Sequence, residues 1–284
     1  MLTLKISIGS VLFLLISFSA GAGAGDSDNN EINQIDVDVV SLLNPAGFSF
    51  TAKAYRRQVY RHDKSLLWDG LYYQAGAQVR ITPAFSRAGL QIEWMPIAIM
   101  QLRAEYDRLY FSGKYGSLLS FTSSDELFGD DELDAKEGEE VSTYGTRTAV
   151  QITLRAKFEN AIFRNVTDFI QYKFPGNGPY YLEREYELLM ATNDEVLSNQ
   201  LYLLFENKSE TGSSYLGPYH DYVHADKSNL IRERIGVTWL QQYKKTLASL
   251  HNPRWYLQSG VYIQDPNRED EFYILVGLGG DLKF

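Results

Sequence analysis

The sequence of 284 residues contains no cysteine. This absence excludes a disulfide scaffold, a zinc finger and a thiol enzyme, because each of them depends on cysteine side chains. Basic residues are also few: 27 Lys and Arg stand against 36 Asp and Glu, which gives a formal net charge of −9. A nucleic-acid-binding protein needs a basic surface to meet the phosphate backbone. We therefore expect no nucleic-acid partner.

Long apolar runs are scarce, and the longest lies at the N-terminus. The first residues carry a single charge at Lys5, then the apolar stretch Ile6–Phe18, then small residues that include Ala22-Gly23-Ala24. A transmembrane helix needs about 18 apolar residues or more, so this shorter stretch is typical of a secretory signal peptide with an A-x-A cleavage site. We predict a signal peptide at 1–24 and a single exported domain at 25–284.

Apolar and polar residues alternate along most of the remaining chain. From Thr148 to Phe158 the even positions are mainly apolar and the odd positions mainly polar, a period of two that predicts a strand with two unlike faces. The segments Ile97–Phe111, Tyr180–Met190 and Ile231–Tyr243 repeat the pattern. Weaker alternation marks Phe48–Arg57, Leu71–Ile81, Ala88–Met95, Ala161–Phe174, Leu197–Asn207, Trp255–Gln264 and Glu271–Phe284. The chain is therefore predicted to be all-β.

The connections between these segments differ in length. Two are long and polar, Ser112–Gly145 and Lys208–Asn229, whereas others are as short as Glu159-Asn160. Short turns at one rim and long loops at the other are typical of a transmembrane β-barrel. A secreted or periplasmic β-sandwich would also alternate, and it is the alternative fold.

The last predicted strand ends on an aromatic residue. Stepping back by two from the terminal Phe284 gives Leu282, Gly280, Leu278, Val276, Ile274 and Phe272. This segment resembles the C-terminal signature strand of bacterial outer-membrane barrel proteins. The resemblance implies an antiparallel up-and-down barrel in the bacterial outer membrane, in contact with lipid and lipopolysaccharide. It also implies that the barrel-assembly machinery reads the strand that ends at Phe284.

The number of strands depends on two segments. Barrels of this class have even strand numbers. The N-terminal segment 25–46 supplies a first strand at Ile35–Leu43, and this strand brings the count to twelve. Ten strands result instead if Leu71–Met95 is one long strand bent at Pro83. We predict twelve strands and keep ten as the alternative.

The polar face of these strands is predicted to line the lumen, and it carries both signs of charge. The predicted lumen-facing charges are Lys53, Arg57, Arg80, Arg103, Arg155, Arg232 and Arg234 together with Glu93, Glu105, Asp107, Glu183, Glu185 and Glu187. One interpretation is a narrow, porin-like polar channel. The other is an interior filled by cross-strand salt bridges, as in a structural or interaction protein, because a barrel of this size is narrow.

One segment carries residue types that could support catalysis. His224, Ser228 and Asn229 lie close together in sequence, and outer-membrane phospholipase A is a barrel enzyme that uses His, Ser and Asn on its outer rim. Here His224 and Ser228 are four residues apart, about 13 Å in an extended strand, which is too far for the hydrogen bond that a nucleophile and its base require. We expect no catalytic residues, and a lipase-type or protease-type rim enzyme remains the alternative.

The segment Asp125–Glu140 is strongly acidic, with nine carboxylates. A calcium-binding EF-hand loop would need glycine where Ala135 stands and glutamate where Val141 stands, so the motif fails. We therefore predict a solvated acidic loop, no metal and no cofactor.

Overall fold

The computed structural model describes residues 31–63, 65, 67–176, 178–247 and 249–283. The predicted signal peptide and Phe284 lie outside the described residues. Twelve long strands form one closed antiparallel barrel, in which the last strand pairs with the first. The barrel strands are β1 (Glu31–Leu43), β2 (Gly47–Arg61), β3 (Leu71–Ile81), β4 (Phe85–Ile97), β5 (Met100–Ser112), β7 (Ser142–Phe158), β8 (Ala161–Lys173), β11 (Asn193–Lys208), β12 (Gly212–Ala225), β13 (Leu230–Tyr243), β14 (His251–Gln264) and β15 (Phe272–Lys283). The prediction of a twelve-stranded antiparallel barrel is confirmed, and the sandwich alternative is wrong.

Four short elements lie outside the barrel wall. The strands β6 (Ser120–Phe121), β9 (Tyr180–Glu183) and β10 (Leu188–Met190) form a separate three-stranded sheet, and α1 (Asp130–Ala135) is a single short helix. Within the described residues, no helix has the length and apolar character that a membrane crossing requires.

The wall strands sort their side chains by alternation. On β4, Arg87, Gln91 and Glu93 point inward and are buried, whereas Leu90 and Ile92 point outward and are 67% and 63% exposed. Closure of the barrel pairs the backbone groups of each strand with its neighbours, and the outward apolar side chains are free to meet lipid. The alternation read from the sequence is therefore the division between an outer apolar face and a polar lumen.

The barrel has two unlike rims. The terminal rim holds the start of β1, the end of β15 and the connections 62–70, 98–99, 159–160, 209–211 and 244–250. The opposite rim, called the loop rim here, holds the connections 44–46, 82–84, 113–141, 174–192, 226–229 and 265–271. The two longest connections, 113–141 and 174–192, both belong to the loop rim.

The ten-strand alternative is wrong because the chain turns at Pro83. The Thr82 N–H donates to the Phe85 carbonyl at 2.9 Å, and the Phe85 N–H donates to the Thr82 hydroxyl at 2.9 Å. These bonds close a tight turn that joins β3 to β4. The outward residues fall on odd positions before Pro83 and on even positions after it, and this change marks a turn between two strands and not a bend within one.

Two segment assignments from the sequence are wrong. Tyr180–Met190 was expected to be a barrel strand, but it folds into β9, a turn and β10 inside the barrel, where both faces of the hairpin are buried. Lys208–Asn229 was expected to be a loop, but it contains β12. Its alternation is hidden because aromatic residues occupy both faces, as with Tyr219 inward and Tyr222 outward. The two errors cancel in the strand count.

Candidate functional site

The connection 174–192 enters the lumen from the loop rim. Its strands β9 and β10 pair with each other, and β9 also pairs with β6 from the connection 113–141. We call residues 180–190 the inserted hairpin. Every one of its residues from Tyr181 to Met190 is buried. The hairpin therefore occupies the loop-rim half of the lumen.

Aromatic and aliphatic packing joins the inserted hairpin to the wall. Tyr181, Leu188 and Met190 belong to the same buried cluster as wall residues of β5 and β8. The Tyr181 ring meets that of Phe174 edge to face with centroids 5.8 Å apart, and Tyr186 meets Tyr172 in the same way at 6.4 Å. Such contacts remove apolar surface from water and so stabilise the hairpin in place.

Glu185, in the turn of the inserted hairpin, is held by three wall strands. Arg80 on β3 donates to its carboxylate, and Arg87 on β4 donates to both oxygens at 2.8 and 2.9 Å. The Tyr172 hydroxyl on β8 donates at 2.8 Å. Burial raises the pKa of Glu185, but the positive charges of Arg87, Arg80 and Arg147 outweigh burial and lower this pKa to about 2. The carboxylate is therefore ionised at neutral pH.

Further polar contacts fix the rest of the hairpin turn. Arg232 on β13 donates to the Tyr186 carbonyl at 2.6 Å, and Arg268 in the connection 265–271 donates to Glu187 at 3.3 Å. The Glu183 carboxylate accepts the backbone N–H groups two and three residues further on, at 2.9 and 2.8 Å. Side chains from opposite sides of the wall thus converge on one short turn.

Ion pairs between inward side chains of adjacent or next-but-one strands occupy much of the remaining lumen. Arg147 donates to Glu105 at 2.8 Å and to Asp107 at 3.0 Å. Other pairs join Arg103 to Glu93, both Arg232 and Arg234 to Asp221, and Arg254 to both Asp38 and Asp281. These groups are buried or nearly so, and each charge finds an opposite charge, as buried ions require.

The predicted lumen charges fall into three groups. Seven of them belong to the ion-pair networks described above: Arg80, Arg103, Glu93, Glu105, Asp107, Arg232 and Arg234. Three point inward nearer the terminal rim: Lys53, Arg57 and Arg155. Glu183, Glu185 and Glu187 lie on the inserted hairpin and not on a wall strand, which corrects the expected strand assignment. The predicted set lacks Arg87, Arg147 and Arg254, because each stands one residue before the predicted start of its strand, and it lacks Asp221, because Asp221 lies in the predicted loop Lys208–Asn229.

Below the inserted hairpin the lumen opens toward the terminal rim. We call this space the vestibule; its volume is about 590 Å³. Its lining includes Asp36, Lys53, Tyr55, Arg57, Gln74, Gln91, Glu93, Gln101, Arg103, Glu206, Lys208, Tyr215, Arg254 and Asp281. A polar cavity of this size lies in the usual range for small-molecule sites.

The catalytic candidates do not form a nucleophile–base pair. His224 points outward on β12, and its Nε2 lies 3.4 Å from Asn229 Oδ1. Ser228 is 5% exposed, and its hydroxyl has no hydrogen-bond partner among the described residues. The other histidine of β12, His220, pairs with Glu233 at 2.6 Å. In the described part of the chain, no group of three or more His, Asp and Glu side chains is placed to hold a metal ion.

A closed antiparallel barrel with an apolar outer face and a charged lumen defines the class of outer-membrane β-barrels. No model of a known protein family matches the chain, and no curated protein matches it in sequence.

Several solved structures are similar to the chain in fold. The KdgM porin, solved in complex with disordered oligogalacturonate, is 7% identical over 88% of this chain and 99% of that chain, with a TM-score of 0.41. The β domain of the Bordetella autotransporter BrkA is 9% identical over 89% and 99%, with a TM-score of 0.41. LpxR from Salmonella typhimurium is 8% identical over 87% and 99%, with a TM-score of 0.40. At such identities the likeness concerns the fold alone.

Proposed function

We propose that the chain is a non-enzymatic outer-membrane barrel that is closed at the loop rim by its inserted hairpin and conducts no steady ion current at rest. The observation that carries the proposal is the binding of Glu185 by Arg80, Arg87 and Tyr172 from three wall strands. Export through the predicted signal peptide, contact with lipid and lipopolysaccharide, and recognition of the C-terminal strand by the barrel-assembly machinery belong to the same proposal.

The packing favours a closed barrel over an open narrow channel. An open polar channel would leave its charged walls hydrated. Here the hairpin residues Leu188 and Met190 are fully buried against the wall, and the facing charges are paired away from water. Separating the hairpin from the wall would expose this apolar surface and unpair buried ions, and both changes are unfavourable.

Excision of the hairpin tests the proposal in planar lipid bilayers. The Phe174 N–H donates to the Thr192 carbonyl at 3.0 Å, so the two ends of the connection are already adjacent. Residues 175–191 can therefore be replaced by Asn-Gly, a two-residue turn that suits antiparallel strands. We expect the wild type to be silent and the excised variant to give stepwise conductance.

A matched control replaces 130–139, in the other long loop, with a Gly-Ser linker of equal length. This variant keeps the inserted hairpin and should stay silent. Stepwise conductance from the wild type would contradict the proposal and favour the channel interpretation. A silent excised variant would show that the closure lies elsewhere.

The enzyme alternative has less support from the geometry. A Ser nucleophile must be reachable by substrate and hydrogen-bonded to its base. Ser228 is buried and its hydroxyl makes no hydrogen bond with His224 among the described residues. An esterase assay in detergent should therefore give the same background rate for the wild type and for Ser228→Ala. Wild-type activity that Ser228→Ala abolishes would instead support the enzyme alternative.

A further inference from the structure

The vestibule contains a buried cation that the barrel wall does not pair. Lys53 points inward from β2, lines the vestibule and is only 4% exposed. Among the described residues, its ammonium pairs with no carboxylate and donates no hydrogen bond, although the other buried cations in the wall networks do both. The Lys53 ammonium reaches the water of the vestibule and has no carboxylate in contact, so an anionic group of a solute can bind it there.

The carboxylates of the vestibule are already bound by other groups. Glu93 accepts hydrogen bonds from Arg103 at 2.8 Å and from the Tyr72 hydroxyl at 2.5 Å. The other carboxylates also have partners: Asp281 binds Arg254 and Asn252, Glu206 binds Lys157 and Tyr215, and Asp36 binds Gln34 and Tyr55. Of the four lining carboxylates, only Asp36 has no cation bound to it among the described residues, and seven Lys and Arg side chains line the cavity against these four, so its charge favours an anion.

A second cation lies nearer the mouth on the same face of β2. The Arg57 guanidinium donates to the Gln74 side chain at 2.9 Å and lies 4.1 Å from the centre of the Tyr72 ring. It forms no ion pair with a carboxylate among the described residues. On β4, Gln91 also lines the vestibule, and its buried side-chain oxygen has no partner in the described part of the chain. Positive charge and one unpaired amide oxygen thus occur together in one cavity.

We propose that the vestibule binds a small solute bearing a carboxylate or phosphate group, which enters from the terminal rim and places its oxyanion at Lys53. Arg57 would add positive charge along the path, and the Gln74 and Gln91 amides would hydrogen-bond the polar part of the solute. The volume of about 590 Å³ admits a molecule of sugar-acid or sugar-phosphate size. The inference rests on the vestibule alone and does not depend on whether the barrel conducts.

Isothermal titration calorimetry on the purified full-length protein in detergent tests the proposal. The probes are glucose 6-phosphate, gluconate and uncharged glucose. The variants are Lys53→Met, which keeps the length of the side chain but removes its charge, and Lys114→Met, which removes an exposed cation of the connection 113–141 at the opposite, loop rim. Lys53→Arg keeps the positive charge and serves as the conservative variant.

We expect the wild type to bind one or both anionic probes and not glucose, with affinity that falls as salt is added. Lys53→Met should weaken binding by at least about tenfold, whereas Lys114→Met and Lys53→Arg should stay within about threefold. Without ligand, Lys53→Met should fold and unfold at a temperature no lower than that of the wild type, because it removes an unpaired buried charge. Wild-type protein that binds neither anion, or folded Lys53→Met that binds as well as the wild type, would overturn the proposal; so would folded Lys53→Arg that does not bind.

Discussion

Replacing Glu185 by alanine should release the inserted hairpin from the barrel wall. The substitution leaves Arg80 and Arg87 buried next to each other without the carboxylate that they share, and it removes the acceptor of the Tyr172 hydroxyl. Removing one partner of a buried ion pair costs about 3–5 kcal/mol. Since about 1.4 kcal/mol corresponds to a factor of ten, the fraction of molecules with an undocked hairpin should rise by roughly two to four powers of ten.

Amide hydrogen exchange followed by mass spectrometry measures this change in detergent micelles. Exchange of the amides at 181–190 reports local opening of the hairpin, while the amides of β12 and β13 report the integrity of the barrel. We expect Glu185→Ala to lose protection at the hairpin and to keep it in those strands. Glu185→Gln retains an acceptor oxygen but no charge, so its effect should be intermediate.

The matched control is Glu137→Ala. Glu137 is an exposed carboxylate in the connection 113–141 and forms no ion pair among the described residues, so its removal should leave hairpin protection unchanged. Glu185→Ala protein with wild-type protection at 181–190 would refute the reasoning, because the three-strand contact would then contribute little to docking.

Two further substitutions test the wall. Leu278→Arg places a charge on the outward face of β15, where the leucine is 60% exposed. A cation on the lipid face costs about 2–4 kcal/mol near the bilayer midplane. On a gel that separates folded from unfolded barrels, the folded band should therefore convert to the unfolded band at a lower temperature than in the wild type. An unchanged conversion temperature would contradict the lipid-facing assignment. Arg254→Ala leaves Asp38 and Asp281 buried without their shared cation and should cost about 3–5 kcal/mol in the same assay. Lowering the pH from neutral toward 4 should reduce this difference in stability between Arg254→Ala and the wild type, because protonation relieves the repulsion between the two carboxylates. A stability difference that grows on acidification would contradict the assignment of Arg254 as their shared cation.

Much of the wall could be predicted from the sequence because barrel strands alternate with a period of two. Strands such as β4 and β7 have mainly apolar outward residues and mainly polar inward residues, so the two faces can be assigned from the sequence alone. The pattern failed where the lumen itself is apolar. Near the loop rim, inward residues such as Tyr219 and Val223 pack in the buried interior, so the two faces of β12 resemble each other in sequence.

The inserted hairpin could not be predicted for a related reason. Glu183, Glu185 and Glu187 stand two residues apart among Leu182, Tyr186 and Leu188, as they would on a wall strand, although Arg184 interrupts the apolar face. The counter-charges of Glu185 come from Arg80 and Arg87, about a hundred positions earlier in the chain, whereas Glu187 pairs with Arg184 three positions away and with the distant Arg268. Only the register of the closed barrel brings these groups together. The hypothesis of an interior filled by salt bridges contains no information on which elements supply the counter-charges.

Cysteine labelling tests the closed lumen most directly, since the chain has no cysteine of its own. Gln101→Cys lines the vestibule, and Glu137→Cys lies on the long connection at the loop rim. The reagent is a polyethylene-glycol maleimide that does not cross the outer membrane. We predict that intact cells label Glu137→Cys but not Gln101→Cys, and that Gln101→Cys becomes labelled once the outer membrane is permeabilised. Labelling of Gln101→Cys in intact cells at the rate of Glu137→Cys would contradict a lumen closed by the inserted hairpin.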